Sequence, residues 1–155
     1  KSRDFLSTIG KNINMILPME SNTSSSSDKY TSMWLSPDEW MVVSNNTTDE
    51  ENNNYEIEDL LFNKISKNNL GAVIDVSDQF VLINLKGEKV FDLLSTGCPL
   101  DFGSFKTKRG PVAQTLLAQV DIIIHHRELN DVNLFVRRSF SEHLMSWIND
   151  AASRL

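Results

Sequence analysis

The chain has 155 residues, 40% of them hydrophobic, and a formal net charge of -6. This length predicts one soluble domain, residues 1–155, and the acidic balance without a basic stripe argues against nucleic acid or an anionic membrane surface as partner. No apolar run is long enough to cross a bilayer, and a single cysteine, which excludes an internal disulfide, indicates a reducing, cytoplasmic location.

The first half of the chain alternates apolar, helix-like stretches with polar loops. Apolar residues recur at helical spacing over residues 3–13 and again from Ile57 to Ile65, which predicts two amphipathic helices. Between them lie a serine-rich stretch, residues 21–29, and an acidic, asparagine-rich stretch, residues 45–54. Both have the composition of loops with little to bury, and we expect both to be mobile.

Two strand-like segments, residues 32–35 and 40–43, flank a turn that contains Pro37, Asp38 and Glu39. One interpretation is a catalytic acid pair, which needs two carboxyl groups facing each other across a substrate. Neighbouring residues in a strand point to opposite faces, however, and a proline after a serine favours a type I turn. The turn is therefore the favoured interpretation of these two carboxylates.

Trp34 and Trp40 stand on either side of this turn. Aromatic side chains on paired strands usually pack within a sheet, so core packing is the first interpretation. An exposed contact patch is the second, because tryptophan is enriched at the energetic centres of protein interfaces. The sequence leaves open whether the two rings face the domain's own core or another protein.

The second half of the chain begins with β-branched and aromatic runs at residues 72–76 and 80–85, which predict a hairpin. Residues 90–94 predict a short helix, with Gly97 ending it in a left-handed conformation. Further strand-like segments follow at residues 115–120, 122–126 and 133–138.

The last helix begins near Ser139, which together with Glu142 has the spacing of a capping box, and its apolar face continues to Leu155. Helices and strands thus occur in mixed order along the chain. This order predicts an α+β fold, in which helices cover one side of an antiparallel sheet.

Few residues carry candidate chemistry. Pro99 forces an extended conformation on Cys98, so a packed, inert thiol is favoured over a nucleophile. His125 and His126 point to opposite faces of a strand, so at most one is buried, and His143 does not complete a metal-binding spacing. The chain also has no glycine-rich phosphate loop, so it is not expected to hold a dinucleotide by itself.

Basic residues remain as candidates for anion contacts. Lys106, Lys108 and Arg109 are most simply part of a solvated loop. Arg137 and Arg138 alternate across a strand, so we expect one of them to face inward and to need a carboxylate partner. The residues alone therefore predict an acidic α+β domain with no active site of its own.

Four segments carry a combined pattern: WLSPDEWMVV (34–43), GAVIDVSDQFVLINLKG (71–87), LLSTGCPLDF (93–102) and FVRRSFSEHLMSWINDAA (135–152). In order and spacing they resemble signatures of the gamma subunit of heterotetrameric sarcosine oxidase. Those signatures read W-L-G-P-D-E-W-L-L, D-V-S-D, G-C-P-L-D and V-R-R-S-F-A-x-x-L-x-x-W-L. Four linked matches are much more specific than any one of them.

The matching positions are candidates for subunit docking or for the family signature alone. They are Trp34, Pro37, Asp38, Glu39, Trp40, Cys98, Pro99, Arg137 and Arg138. The resemblance implies no catalytic, cofactor-binding or metal-binding residue in a gamma chain. It implies a fold similar to the aminomethyltransferase (glycine-cleavage T-protein) type, which is related to folate-binding domains.

The resemblance also implies a complex of four different subunits that oxidises the N-methyl group of sarcosine to give glycine and passes the one-carbon unit to tetrahydrofolate. The partners would be the alpha, beta and delta subunits, mainly alpha. FAD, FMN, NAD and tetrahydrofolate would belong to the larger alpha and beta subunits, and zinc to the small delta subunit.

The chain departs from the family pattern at Ser36, where a glycine is usual, and in the asparagine-rich stretch at 45–54. Family members usually have more chain upstream, and we expect an N-terminal strand to be missing, which would leave a sheet edge unpaired. One alternative is the corresponding subunit of N-methylglutamate dehydrogenase, since the substrate pocket would lie in another subunit. Another is a free-standing folate-binding protein, with the pterin held by Asp75, Asp78 or Asp101.

Overall fold

The computed structural model describes residues 3–45, 55–107 and 110–155. Most of the predicted loop 45–54, together with the candidate anion contacts Lys108 and Arg109, lies outside the described residues. The chain divides into two compact units, Lys1–Asp75 and Val76–Leu155. The predicted mixture of helices and antiparallel strands is confirmed, but the described strands form two sheets rather than one.

The first unit has a three-stranded sheet flanked in sequence by helices. Its elements are α1 (Arg3–Ile13), β1 (Ser24–Ser26), β2 (Tyr30–Ser36), β3 (Glu39–Ser44), α2 (Tyr55–Leu61) and a π-helical turn (Phe62–Ser66). The strands pair antiparallel in the order β1–β2–β3. Both helices and both strands predicted in this half are confirmed.

A small apolar cluster forms the core of the first unit. It contains Ile9 and Ile13 from α1, Leu17, Leu61 from α2 and Ile65. Each such side chain stabilises the fold by about 1.5–3 kcal/mol when it leaves water. The apolar faces that the sequence predicts on the two helices therefore meet in one place.

The predicted loop at residues 21–29 is partly wrong, because Ser24–Ser26 is the edge strand β1. Ser24 pairs with Met33 and Ser26 with Thr31 in the antiparallel register. The Ser26 and Thr31 hydroxyl groups also lie 3.1 Å apart, within hydrogen-bonding distance. An edge strand needs mainly backbone donors and acceptors, so a run of serines can pair without an apolar pattern.

The second unit has a four-stranded antiparallel sheet in the order β4–β7–β6–β5. Its elements are β4 (Phe80–Lys86), α3 (Val90–Ser95), α4 (Phe102–Phe105), β5 (Val112–Leu117), β6 (Val120–Glu128), β7 (Asp131–Arg137), a 3-10 turn (Arg138–Phe140) and α5 (Ser141–Ala152).

One face of this sheet and the three helices share a buried apolar cluster. The strands supply Ile122, Ile124 and Leu134, and the helices supply side chains such as Leu94 and Leu144. Alternate residues of a strand point to the same face, which is why Ile122 and Ile124 both enter this cluster. Helices cover this face of the sheet, as predicted.

The predicted hairpin between residues 72–76 and 80–85 is wrong. Residues 71–76 form no regular element, and Ile74 is 76% exposed. The strand β4 pairs instead with β7, from Phe80 opposite Arg137 to Lys86 opposite Asp131. An apolar, β-branched run indicates that a segment can form a strand, but the strand with which it pairs is determined by tertiary packing.

Two predicted helix ends are also corrected. Gly97 does not have the left-handed conformation that the sequence predicts; a Cβ there would lie 2.5 Å from Cζ2 of Trp147, so close packing requires the glycine. The capping box of Ser139 and Glu142 does not form, because a 3-10 turn precedes α5 and the N-cap residue is Phe140, without a side-chain cap. The Ser141 hydroxyl instead donates to the Arg138 carbonyl oxygen at 2.8 Å.

Candidate functional site

The WLSPDEW stretch forms a hairpin with a two-residue turn. Ser36 pairs with Glu39 across the turn residues Pro37 and Asp38, and the Ser36 hydroxyl donates to Asp38 Oδ1 at 2.9 Å. The side chains of Pro37, Asp38 and Glu39 are exposed. The predicted turn is confirmed, and Asp38 serves it by accepting a local hydrogen bond.

The two tryptophans of the hairpin are cross-strand partners, which places their side chains on one face of the sheet. Trp40 packs against the core of the first unit, with its ring centroid 5.8 Å from that of Phe5. Its Nε1 donates to the Pro18 carbonyl oxygen at 2.8 Å. Trp34 is half-buried and is not among the side chains that pack on the described core cluster. Trp40 is thus a structural residue of its own unit.

The third signature segment, residues 93–102, surrounds Cys98, which is buried in the apolar cluster of the second unit. Its Sγ lies 3.8 Å from Thr115 Oγ1, and its backbone N–H donates to the Leu94 carbonyl oxygen at 3.0 Å. The predicted packed thiol is therefore confirmed.

The paired arginines lie at the end of β7, and both are exposed, so the prediction that one faces inward is wrong. Arg138 Nε donates to the Asp78 carbonyl oxygen at 2.8 Å, and its Nη2 lies 3.5 Å from Asp78 Oδ1. The backbone N–H of Arg138 also donates to the Gln79 carbonyl oxygen. These bonds connect the segment just before β4 to the end of β7. The pairing of the two strands ends there, and the side chains of Arg137 and Arg138 are exposed to water.

The carboxylates considered for a pterin site have local structural partners. Asp78 accepts the Arg138 contact, and Asp101 accepts a hydrogen bond from the Gly103 N–H at 2.9 Å at the start of α4. Hydrogen bonding by Ser104 and by the Gly103 amide lowers the pKa of Asp101. Asp75 is exposed in the irregular segment that ends the first unit. None of these contacts builds a cofactor cradle.

The two neighbouring histidines lie on opposite faces of β6, and only His125 is buried as a residue. Burial, and then the nearby charge of Arg127, lowers the pKa of His125 to about 4, against a smaller opposing effect of Asp131. The ring of His126 meets that of Phe91 edge-on at 5.2 Å. His125 is therefore neutral at physiological pH.

Among the described residues, no group of three His, Cys, Asp or Glu side chains is arranged to hold a metal ion. None of the described helices is both long and apolar enough to cross a membrane.

A polar cluster at one end of the second sheet was not singled out from the sequence. Asp131 is only 5% exposed, and its carboxylate accepts from Asn84 Nδ2 at 2.7 Å and lies 3.5 Å from Lys86 Nζ. Asn84 also donates to Asn133 Oδ1 at 2.9 Å. In the sequence, Asn84 and Lys86 on one strand and Asp131 and Asn133 on another are polar residues two apart, but only the register of the two strands shows that they meet.

An open groove beside α1 is a second feature that sequence reasoning missed. It has a volume of about 700 Å³ and runs between α1 and the segment that follows it. Apolar and basic side chains line it, including Leu6, Lys11, Met15 and Ile16. The sequence did contain an indication of it: Ile16 and Met19 are apolar residues that lie after the end of α1, on either side of Pro18, and so do not belong to the apolar face of the helix.

A known protein family matches almost the whole length of the chain. Residues 2–154 match the family described as "Sarcosine oxidase, gamma subunit family". The chain belongs to this family.

Relatives of known name agree with this family. The chain is 26% identical over 121 residues to the sarcosine oxidase subunit gamma of Corynebacterium sp. (strain U-96), an alignment that covers 78% of this chain. It spans about half (55%) of that relative's length. A chain in the structure of the heterotetrameric sarcosine oxidase from Corynebacterium sp. U-96, in complex with pyrrole 2-carboxylate, has the same fold, with a TM-score of 0.82. The superposition covers 99% of this chain and 75% of that chain, and the two sequences are 22% identical.

Proposed function

We propose that this chain is a non-catalytic gamma subunit of a heterotetrameric sarcosine oxidase. The observation that carries the proposal is the family match over residues 2–154, which extends through both compact units. The packing of Cys98 and the local partners of Asp78 and Asp101 support a chain without catalytic chemistry of its own.

In this proposal the chain assembles with alpha, beta and delta subunits in the cytoplasm, and alpha is its main partner. FAD, FMN, NAD and tetrahydrofolate are held by the alpha and beta subunits, and zinc by delta. The complex oxidises the N-methyl group of sarcosine to yield glycine. We also propose that the fold of this chain is similar to that of the aminomethyltransferase (glycine-cleavage T-protein) type.

Among the signature residues, we assign docking to the exposed ones. Pro37, Asp38 and Glu39 at the hairpin tip are exposed, and Trp34 in the same hairpin is half-buried. Arg137, which lies in the second unit, is exposed as well. Trp40, Cys98 and Arg138 are engaged within their own units, which suits a role in the fold that presents the docking surface.

The test is to co-express the alpha, beta and delta subunits with and without this chain and to measure sarcosine-dependent hydrogen peroxide formation. We expect the isolated chain to be inactive, and the complex that lacks it to lose assembly or stability. Peroxide formation by the isolated chain, or a complex that is equally active and stable without it, would refute the proposal.

Two further measurements, of substrate oxidation and of folate binding, separate the remaining alternatives. Oxidation of N-methylglutamate but not sarcosine would assign the complex to N-methylglutamate dehydrogenase, with this chain in the corresponding position. Calorimetric titration of the isolated chain with tetrahydrofolate tests the folate-binding alternative, and heat of binding that disappears in Asp101→Asn or Asp78→Asn would establish it.

A further inference from the structure

The groove beside α1 exposes apolar side chains that a protein in water would normally cover. Ile16 is 83% exposed and Met19 is 46% exposed. Together with Leu6 and Met15 they line one continuous cavity of about 700 Å³. Exposed apolar patches of this kind commonly mark interaction surfaces.

The backbone that forms the groove is held in place by its own contacts. After α1 the chain reverses through Asn14, which has a φ of 52°, and the Met15 N–H donates to the Gly10 carbonyl oxygen at 3.1 Å. A Cβ at Gly10 would lie 2.9 Å from the Met15 carbonyl oxygen, so the close approach depends on glycine. The bond from Trp40 to Pro18 anchors the other end. A groove that is already ordered loses little entropy on binding.

The charge of the groove is opposite to that of the chain around it. Arg3 and Lys11 line the cavity, and neither makes an ion pair with the described part of the chain. Residues 1–75 contain six Lys and Arg against twelve Asp and Glu, so the unit as a whole is acidic. Two cations beside apolar side chains complement a segment that is apolar and acidic.

We propose that the α1 groove, formed by Arg3, Leu6, Lys11, Met15, Ile16 and Met19, binds a segment of the alpha subunit that carries Asp or Glu beside apolar side chains. The proposal rests on the proposed function, since the occupant is another subunit of the complex. A second copy of this chain is a poorer occupant, because two chains of net charge -6 repel each other.

A photo-crosslinker tests which chain occupies the groove. Benzoylphenylalanine is placed at position 16 in the tagged chain, which is co-expressed with alpha, beta and delta, irradiated and analysed by mass spectrometry. We expect cross-links to an alpha-subunit peptide that contains Asp or Glu. The same probe at Leu129, which is 87% exposed in the second unit, is the matched control and should not label that peptide.

Substitutions test whether the groove contributes to binding. Ile16→Asp should increase the rate at which excess untagged chain displaces the tagged chain from the complex by about tenfold to a hundredfold, as expected when an isoleucine that the partner would cover in the interface is lost. Arg3→Glu with Lys11→Glu should increase that rate and reduce its dependence on salt. Leu129→Asp, and Lys64→Glu with Lys67→Glu, are the controls that should leave the rate unchanged.

The outcomes separate this proposal from the function on which it rests. If the wild-type chain joins the complex but cross-links from position 16 miss alpha, or the groove variants exchange like wild type, the groove assignment is wrong and the function stands. Cross-links to a second copy or to this chain's own terminus also refute it. If the wild-type chain joins no complex, both proposals fall.

Discussion

The indole Nε1 of Trp40 donates a hydrogen bond to the backbone carbonyl oxygen of Pro18, with the two atoms 2.8 Å apart. This bond links the signature hairpin to the segment after α1. The signature residue Trp40 therefore helps to hold the segment that borders the groove.

Trp40→Phe keeps an aromatic ring near Phe5 but removes this donor. We expect the free energy of unfolding to fall by about 1 kcal/mol, because the Pro18 carbonyl oxygen loses its partner at a part-buried position. Urea unfolding followed by circular dichroism measures the change. Trp34→Phe is the control, and an equal loss in both variants would contradict a specific role for the Trp40 bond.

Gly97→Ala should destabilise the second unit. The added Cβ would lie 2.5 Å from Trp147 Cζ2, and overpacking of this kind costs about 1–3 kcal/mol. The melting temperature measures the loss. Combining the substitution with Trp147→Leu makes room for the methyl group, so the double variant should lose less than the two single losses combined; simple additivity would show that the contact is not the cause.

The buried His125 predicts a loss of stability in acid. Its pKa is lowered from 6.5 to about 4, so the folded state resists the proton that the unfolded state accepts. The stability that the neutral ring contributes is complete above about pH 6.5 and is lost as the pH falls toward 4, by about 3 kcal/mol in all. Urea unfolding at several pH values measures this slope.

His125→Gln should flatten that slope, because glutamine does not titrate. His143 is exposed on α5, so His143→Gln should keep the wild-type dependence. An identical slope in wild type and His125→Gln would mean that carboxylates alone determine the acid sensitivity.

The turn between β5 and β6 offers a stabilising substitution. Ala118 and Gln119 both have positive φ, at 51° and 65°, in a two-residue hairpin turn that glycine and asparagine suit better. Gln119→Gly should raise the free energy of unfolding by about 0.5–1 kcal/mol through relief of backbone strain. Gln114→Gly in the adjoining strand should lower it, and a loss in both would contradict this account.

Local chemistry was enough to predict much of the fold. The apolar spacing of α1, α2 and α5, the strands on either side of Pro37 and the turn itself all follow from side-chain periodicity and proline geometry. The packed state of Cys98 followed from Pro99 and the preceding helix. These features depend on residues close in sequence, so the sequence shows them directly.

Features that join distant residues were missed or wrong. The partner of β4 lies about fifty residues away in β7, and Ser24–Ser26 pairs although its side chains carry no strand pattern. Gly97 was given a local role in a helix cap, but its constraint comes from Trp147. Local propensity indicates which secondary structures a segment can adopt, whereas packing between distant parts of the chain determines which strands actually pair.

The sequence by itself determined the family, through four signatures in fixed order, and the positions of the helices and the signature turn. Only the tertiary structure decided that Trp40 belongs to its own core, that Arg137 and Arg138 both reach water, and that Arg3, Lys11 and Ile16 share one groove. The physical reason is that burial and pairing are properties of surfaces, which exist only after residues far apart in the chain have come together.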